Sequence, residues 1–112
     1  MGLDNYWKLP ADVTEPVFDP PLNIIGDLLS DHGEGSFRGQ TYEEFILEIT
    51  GVSLYTPVLS NQVILQIAIC LENWDRKEEI LDKYDMHPKE CDDLVRMFRT
   101  YADAGAHLLA WW

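Results

Sequence analysis

Residues 31–44, Asp-His-Gly-Glu-Gly-Ser-Phe-Arg-Gly-Gln-Thr-Tyr-Glu-Glu, hold the densest set of groups that could do chemistry. Glycines let a backbone turn its N–H donors toward one point. A helix start just beyond them adds partial positive charge, and an arginine adds a forked cation. Gly33, Gly35, Ser36, Arg38 and Gly39 are therefore a candidate cradle for a phosphate or nucleotide. The spacing is neither that of the P-loop, which needs Gly-Lys-Ser/Thr, nor that of the dinucleotide fingerprint. Asp31, Glu34, Glu43 and Glu44 would repel an anion. The plainer expectation is a surface loop whose Arg38 pairs with one of these acids.

Asp27, Asp31, His32 and Glu34 could bind a divalent ion or act as an acid–base pair, but the register of a calcium loop is absent. Solvated loop charges are the simpler expectation. His32 and Ser36 lack the surrounding sequence of a nucleophile elbow. His87 precedes Pro88 and reads as a helix-start residue, while His107 suits a dipole-favoured last turn. Neither has a second ligand at zinc spacing. With no complete catalytic constellation, the expectation is a non-enzymatic protein without cofactor or metal.

Charge is the strongest global signal. The 112 residues include 20 Asp and Glu against 8 Lys and Arg, giving a formal net charge of −12. Before Arg76 the only cations are Lys8 and Arg38. Such a field repels nucleic acid and anionic membrane and attracts basic protein surfaces. The leading expectation is a protein-binding module whose acidic face docks on a basic partner, in its concrete form a charge mimic occupying a nucleic-acid-binding protein. Asp12, Glu15, Asp19, Asp27, Asp31, Glu34, Glu43, Glu44 and Glu48 are the candidate carriers of that face. Plain solubility is the competing explanation of the acidity.

These groups need a scaffold, and the composition supplies one. A hydrophobic fraction of 46% and an aromatic fraction of 12% exclude an acidic disordered chain. No apolar run is long enough to span a bilayer, and the N-terminus lacks the pattern of a signal peptide. Cys70 and Cys91 fall on apolar stripes without disulfide spacing, which fits two packed thiols in a reducing cytoplasm.

The expected fold is mainly α: one domain over 1–112, about four helices, with an irregular, acidic, proline-rich arm at 1–35 and a helical core at 40–112. A minor β element is expected from residues 3–9, and residues 23–30 suit a turn or two of helix. Thr41 and Glu44 have capping-box spacing, Tyr42, Phe45, Ile46 and Ile49 share a face, and Gly51 suits a terminator. Glu43, Glu44 and Glu48 are expected on the outer face. Ser60 or Asn61 opens a helix over 61–74 whose only polar stripe is Gln62, Gln66 and Asn73, so it belongs in the centre. A short charged helix anchored by Ile80, Leu81 and Tyr84 follows. From Pro88 a stripe of Cys91, Leu94, Val95, Phe98, Ala102, Gly105, Leu109 and Trp112 predicts a last helix to the C-terminus, with Gly105 as a notch or a break. Trp74 is expected in the core. Trp111 and Trp112 are expected either to close the core near Trp7 or to form an exposed anchor that supports homo-oligomers.

The opening Met-Gly-Leu-Asp, the Ser36-Phe37-Arg38-Gly39 segment and the closing Ala-Asp-Ala-Gly-Ala-His-Leu-Leu-Ala-Trp-Trp resemble small acidic proteins encoded by phages and prophages. The resemblance implies a mobile-element origin. By analogy it implies inhibition of host defence or host nucleic-acid enzymes, and it transfers no site residue.

Overall fold

The computed structural model describes residues 3–14, 16, 18, 22, 29–31, 34–74 and 77–111. Its frame is a five-stranded antiparallel sheet: β1 (Asp4–Lys8), β2 (Leu29–Asp31), β3 (Glu34–Phe37), β4 (Val58–Leu59) and β5 (His107–Trp111), in the order β2-β3-β1-β5-β4. Four helices complete it: α1 (Gly39–Thr50), α2 (Asn61–Glu72), α3 (Lys77–Lys83) and α4 (Pro88–Asp103). Helix therefore dominates, as expected, and a β element accompanies it.

That β element does more than decorate an arm. β1 pairs with β5 from Asp4↔Trp111 to Lys8↔His107, and with β3 at Asn5↔Phe37 and Tyr6↔Ser36. Alternation along β1 buries Asn5 and Trp7 on one face. The stretch 1–35 is thus not wholly irregular: it supplies β1 and β2. Helix over 23–30 does not hold as a whole, because Leu29 and Ser30 are strand; 23–28 lie outside the described residues.

The last helix stops at Asp103 instead of running to the C-terminus. Gly105 takes φ +83, the Gly105 N–H donates to the Ala102 carbonyl at 3.1 Å, and the Ala106 N–H donates to the Tyr101 carbonyl at 3.0 Å. This pair of backbone bonds closes a helix end. The chain then leaves as β5, because β1 offers it a complete ladder. Gly105 is the break rather than the notch, and Leu109 joins the stripe only by coincidence of spacing.

Within α4 the stripe holds. Cys91, Leu94, Met97, Phe98, Tyr101 and Ala102 are buried at helical spacing. Trp7 lies fully buried against them: stacked on Tyr101 at 4.5 Å and 4°, edge-on to Phe98 at 5.2 Å, and beside Phe37 at 5.9 Å. α2 packs between α1 and α4 and buries Ile64, Ile67, Ala68 and Leu71. Ser60 is its N-cap, accepting from the Val63 N–H at 3.4 Å. Ile69 departs from expectation. It stands on the exposed stripe with Gln62, Gln66 and Asn73, since the helix covers only the faces its neighbours reach. Trp74 is partly buried and packs edge-on against Phe45. Cys91 is buried and Cys70 half-buried.

The capping box does not form. α1 begins two residues before Thr41, with Arg38 at the N-cap and no side-chain cap bond. The Gln40 N–H donates instead to the Leu3 carbonyl at 3.1 Å, so the chain entering β1 satisfies a donor that a capping side chain would otherwise take. Glu43 is also corrected. It is buried rather than outward-facing, accepting from Ser53 Oγ at 2.6 Å and the Leu54 N–H at 2.7 Å. A carboxylate tolerates burial when its oxygens are paired in this way. At the far end Gly51, with φ +75, donates its N–H to the Leu47 carbonyl and closes α1 as expected.

Asn5 joins these pieces. Its Nδ2 donates to the Leu54 carbonyl at 3.0 Å and to the Leu109 carbonyl at 3.4 Å, while its Oδ1 occupies the place where a side chain on Gly39 would begin. Replacing Gly39 with Ala should therefore expel Asn5 and cost about 1–3 kcal/mol, read from urea unfolding. Asn5→Ala should cost stability alone yet make Gly39→Ala nearly free in the double variant. Additive losses would contradict the contact.

Candidate functional site

The turn from α3 into α4 shapes a concave site. α3 is short, held by the buried Ile80 and Leu81, with Glu78 and Glu79 in its first turn and Lys83 in its last, as the helix dipole favours. Its end repeats the backbone pattern that closes α4. The Asp85 N–H donates to the Asp82 carbonyl at 3.2 Å, and the Met86 N–H donates to the Leu81 carbonyl at 2.8 Å. The residue in the left-handed position is aspartate here, at φ 51, where α1 and α4 use glycine. His87 follows as the N-cap of α4, accepting the Lys89 N–H on Nδ1 at 3.1 Å. The expectation of a helix-start histidine holds.

Glu78, Leu81, Asp82, Asp85, Met86, His87 and Pro88 line a groove of about 430 Å³. Glu78 and Asp82 share one face of α3, and Asp85 joins them from the turn that ends the helix. Leu81 and Met86 are buried and give the groove apolar walls beside the acids. No lysine or arginine is among the described lining residues. Lys83 of α3 is committed elsewhere: its Nζ lies 2.6 Å from Glu48 of α1.

The wider charge arrangement makes the groove stand out. Arg38 faces Asp4 at 3.8 Å, Arg96 faces Asp93 at 3.1 Å, and Arg99 lies 3.7 Å from both Glu72 and Asp103. Glu90 accepts the Tyr42 hydroxyl at 2.6 Å, and Glu43 is satisfied internally. Glu78, Asp82 and Asp85 have no such counter-charge among the described residues. Among the described residues no three His, Cys, Asp or Glu side chains are gathered to hold a metal ion, and no helix is long and apolar enough to cross a membrane. Carboxylates spread along a groove with apolar walls suit an extended organic cation.

The acids singled out from sequence do not assemble into this site. Asp12 sits exposed in a turn, and Glu44 is exposed on α1. Asp31 and Glu34 face one another across the β2–β3 hairpin in backbone register. Glu15, Asp19 and Asp27 lie outside the described residues, as do His32 and Gly33 of the other candidate sites. Gly35 and Ser36 belong to β3, paired with Ser30 and Leu29, so the glycine-rich segment is a strand and not a loop cradle. Arg38 pairs with Asp4; both side chains are more than half exposed, so the pair adds little stability. His107 opens β5 instead of ending a helix, and its Nδ1 accepts the Asn61 N–H at 3.2 Å. Trp111 takes its place in β5 opposite Asp4, and Trp112 lies outside the described residues. Glu78, Asp82 and Asp85 escaped notice because a short charged helix reads as ordinary solvated surface. The one available signal was an aspartate between Tyr84 and Met86, where a helix end favours glycine.

No protein-family model, curated protein or solved structure matches the chain.

Two outcomes follow from the site's surroundings. Asp85→Gly should stabilise the fold by up to about 1 kcal/mol in thermal or urea unfolding, because glycine enters the left-handed region without the Cβ clash. A loss of stability would show that the aspartate side chain holds the turn. The Lys83 pKa is raised above its ordinary 10.5, chiefly by the hydrogen bond to Glu48 and then by that carboxylate's charge. Tyr84 is raised above 10.0, chiefly by desolvation and then by its hydroxyl bond to Glu48 at 3.0 Å. Both groups favour their protonated forms in the folded chain. Their stabilisation is complete below the ordinary tyrosine value of 10.0 and fades as pH rises through the raised folded values. Urea midpoints should fall above that pH, and Glu48→Gln should flatten the fall; an unchanged alkaline limb would exclude Glu48 as its source.

Proposed function

We propose that this chain is a non-enzymatic acidic binding module that docks on a basic surface of a protein partner, with the α3–α4 groove receiving a lysine or arginine side chain. The observation that carries this reading is the set of three carboxylates, Glu78, Asp82 and Asp85, which have no counter-charge among the described residues and border apolar walls, while Arg38, Arg96, Arg99 and Lys83 face other acids. A cationic head would meet the carboxylates while its aliphatic stem lies on Leu81, Met86 and Pro88. The net charge of −12 would speed encounter with a basic body and make it salt-sensitive. Asp85 supports the same reading, since it sets a carboxylate at a left-handed position, φ 51, that glycine enters with less strain. In its concrete form the partner is a nucleic-acid-binding protein, occluded in the way the resemblance to phage proteins implies.

An oligoarginine peptide carrying a fluorophore tests this by anisotropy. Affinity should fall as salt rises from low to physiological. Asp82→Asn with Asp85→Asn should weaken binding about tenfold, an effect of about 1.4 kcal/mol. Asp12→Asn with Glu44→Gln should leave it within about twofold. Equal losses from both pairs would mean attraction to overall charge alone, and no loss from the first pair would remove the groove from the function.

A further inference from the structure

Between Glu48 and Glu72 no residue carries a charge, an uninterrupted neutral stretch in a chain of net charge −12. In the fold this stretch brings a run of neutral residues to the surface. It holds the turn 55–57, the strand β4 and the outer stripe of α2. Val58 is 58% exposed, Tyr55 40% and Ile69 38%; these are three of the four large apolar side chains most open to water among the described residues. Thr56, Pro57, Ser60, Gln62 and Gln66 are exposed beside them. β4 passes into α2 through Ser60 alone, and Gln62, Gln66 and Ile69 then climb one helix face over roughly 10 Å. β4 is also an outer strand of the sheet, paired only with β5. Natural edges are usually guarded by charge. The opposite outer strand, β2, ends in Asp31, but β4 has no charged neighbour in sequence.

We infer that this neutral run is where two copies of the chain meet about a two-fold axis, β4 against β4 with the α2 stripes alongside. Charge selects the occupant. A basic partner is drawn to acidic surface and gains nothing from a charge-free one. A second copy carries the same strongly negative field, so any charged face placed against its own image sets like charges opposite each other, at a cost of several kcal/mol. A self-complementary interface on this chain has to exclude carboxylates, and the stretch between Glu48 and Glu72 does so. Its residue types agree: interface cores are depleted in charge and enriched in tyrosine. A two-fold contact uses the same patch on both copies, a role open to this neutral run because it carries no charge to set against its own image. The apolar stripe of α4 is not available for such a contact, since Cys91, Leu94, Phe98 and Ala102 are buried in the core.

Sedimentation equilibrium from micromolar to millimolar chain, at low and at high salt, tests the inference. The expected result is a monomer–dimer equilibrium that tightens as salt rises, because salt screens the repulsion between two anionic bodies. This is opposite in sign to the salt dependence of docking on a basic partner, so the two readings fail separately. Val58→Asp and, as a milder exposed change, Gln66→Glu should each raise the dimer dissociation constant at least about tenfold at low salt. Both should keep the helical circular dichroism of the parent. Asp82→Asn with Asp85→Asn should leave the dimer intact. A chain that stays monomeric at millimolar concentration, a dimer indifferent to both neutral-run variants, or association that weakens with salt would overturn the inference.

Discussion

The whole arrangement depends on Trp7 being enclosed. This ring comes from the N-terminal strand, yet its partners are Phe37 at the end of β3 and Phe98 and Tyr101 deep in α4. Trp7 can reach them only if β1 lies between β3 and β5, which brings the two ends of the described chain together as Asp4 opposite Trp111. Burying one large aromatic removes 150–250 Å² from water, worth several kcal/mol. The ring's Nε1 has no hydrogen-bond partner among the described residues, so packing rather than polar pairing holds it. Asn5, two residues earlier on the same face, adds the polar half of the lock by binding the carbonyls of Leu54 and Leu109 over Gly39.

With that frame closed, the acids divide into two populations. Some are structural: Glu43 holds the 53–54 backbone, Glu48 ties α1 to Lys83 and Tyr84, and Glu90 receives Tyr42. These draw on the few cations and hydroxyls available. Others stay at the surface, among them Glu78 and Asp82 on α3 and Asp85 in the turn after it, an element that gives the core Ile80 and Leu81. The same scarcity of cations that makes the chain acidic leaves this groove without counter-charge among the described residues. It also leaves the stretch between Glu48 and Glu72 as the one long part of the chain that is neither attractive to cations nor repulsive to its own copy.

Local rules read the helices well where the signal is carried by neighbours in sequence. Ser60 caps α2, His87 caps α4, and Gly51 ends α1, because each of these contacts spans only a few residues. The strand over 3–9 was legible in the same way. The failures share one cause. Thr41 does not cap α1 because the helix starts earlier, at Gly39, where the Leu3 carbonyl, far away in sequence, takes the Gln40 N–H. Leu109 was placed on a helix because steps of three and four also fit by chance, and only β1 reveals it as a strand residue. Ile69 was placed inside because composition cannot say which faces of a helix are covered.

The amino-acid sequence alone determined the dominance of helix, the oily interior, the negative charge and most helix ends, since each is a sum over residues or a contact within one turn. Only the tertiary structure decided that β1 and β5 share a ladder, that Glu43 is interior, and that Glu78, Asp82 and Asp85 border one hollow while Val58 and Ile69 stay in water. Those facts depend on which distant segments meet. A meeting of that kind is set by the competition among all burial options at once, and no short window of sequence contains it.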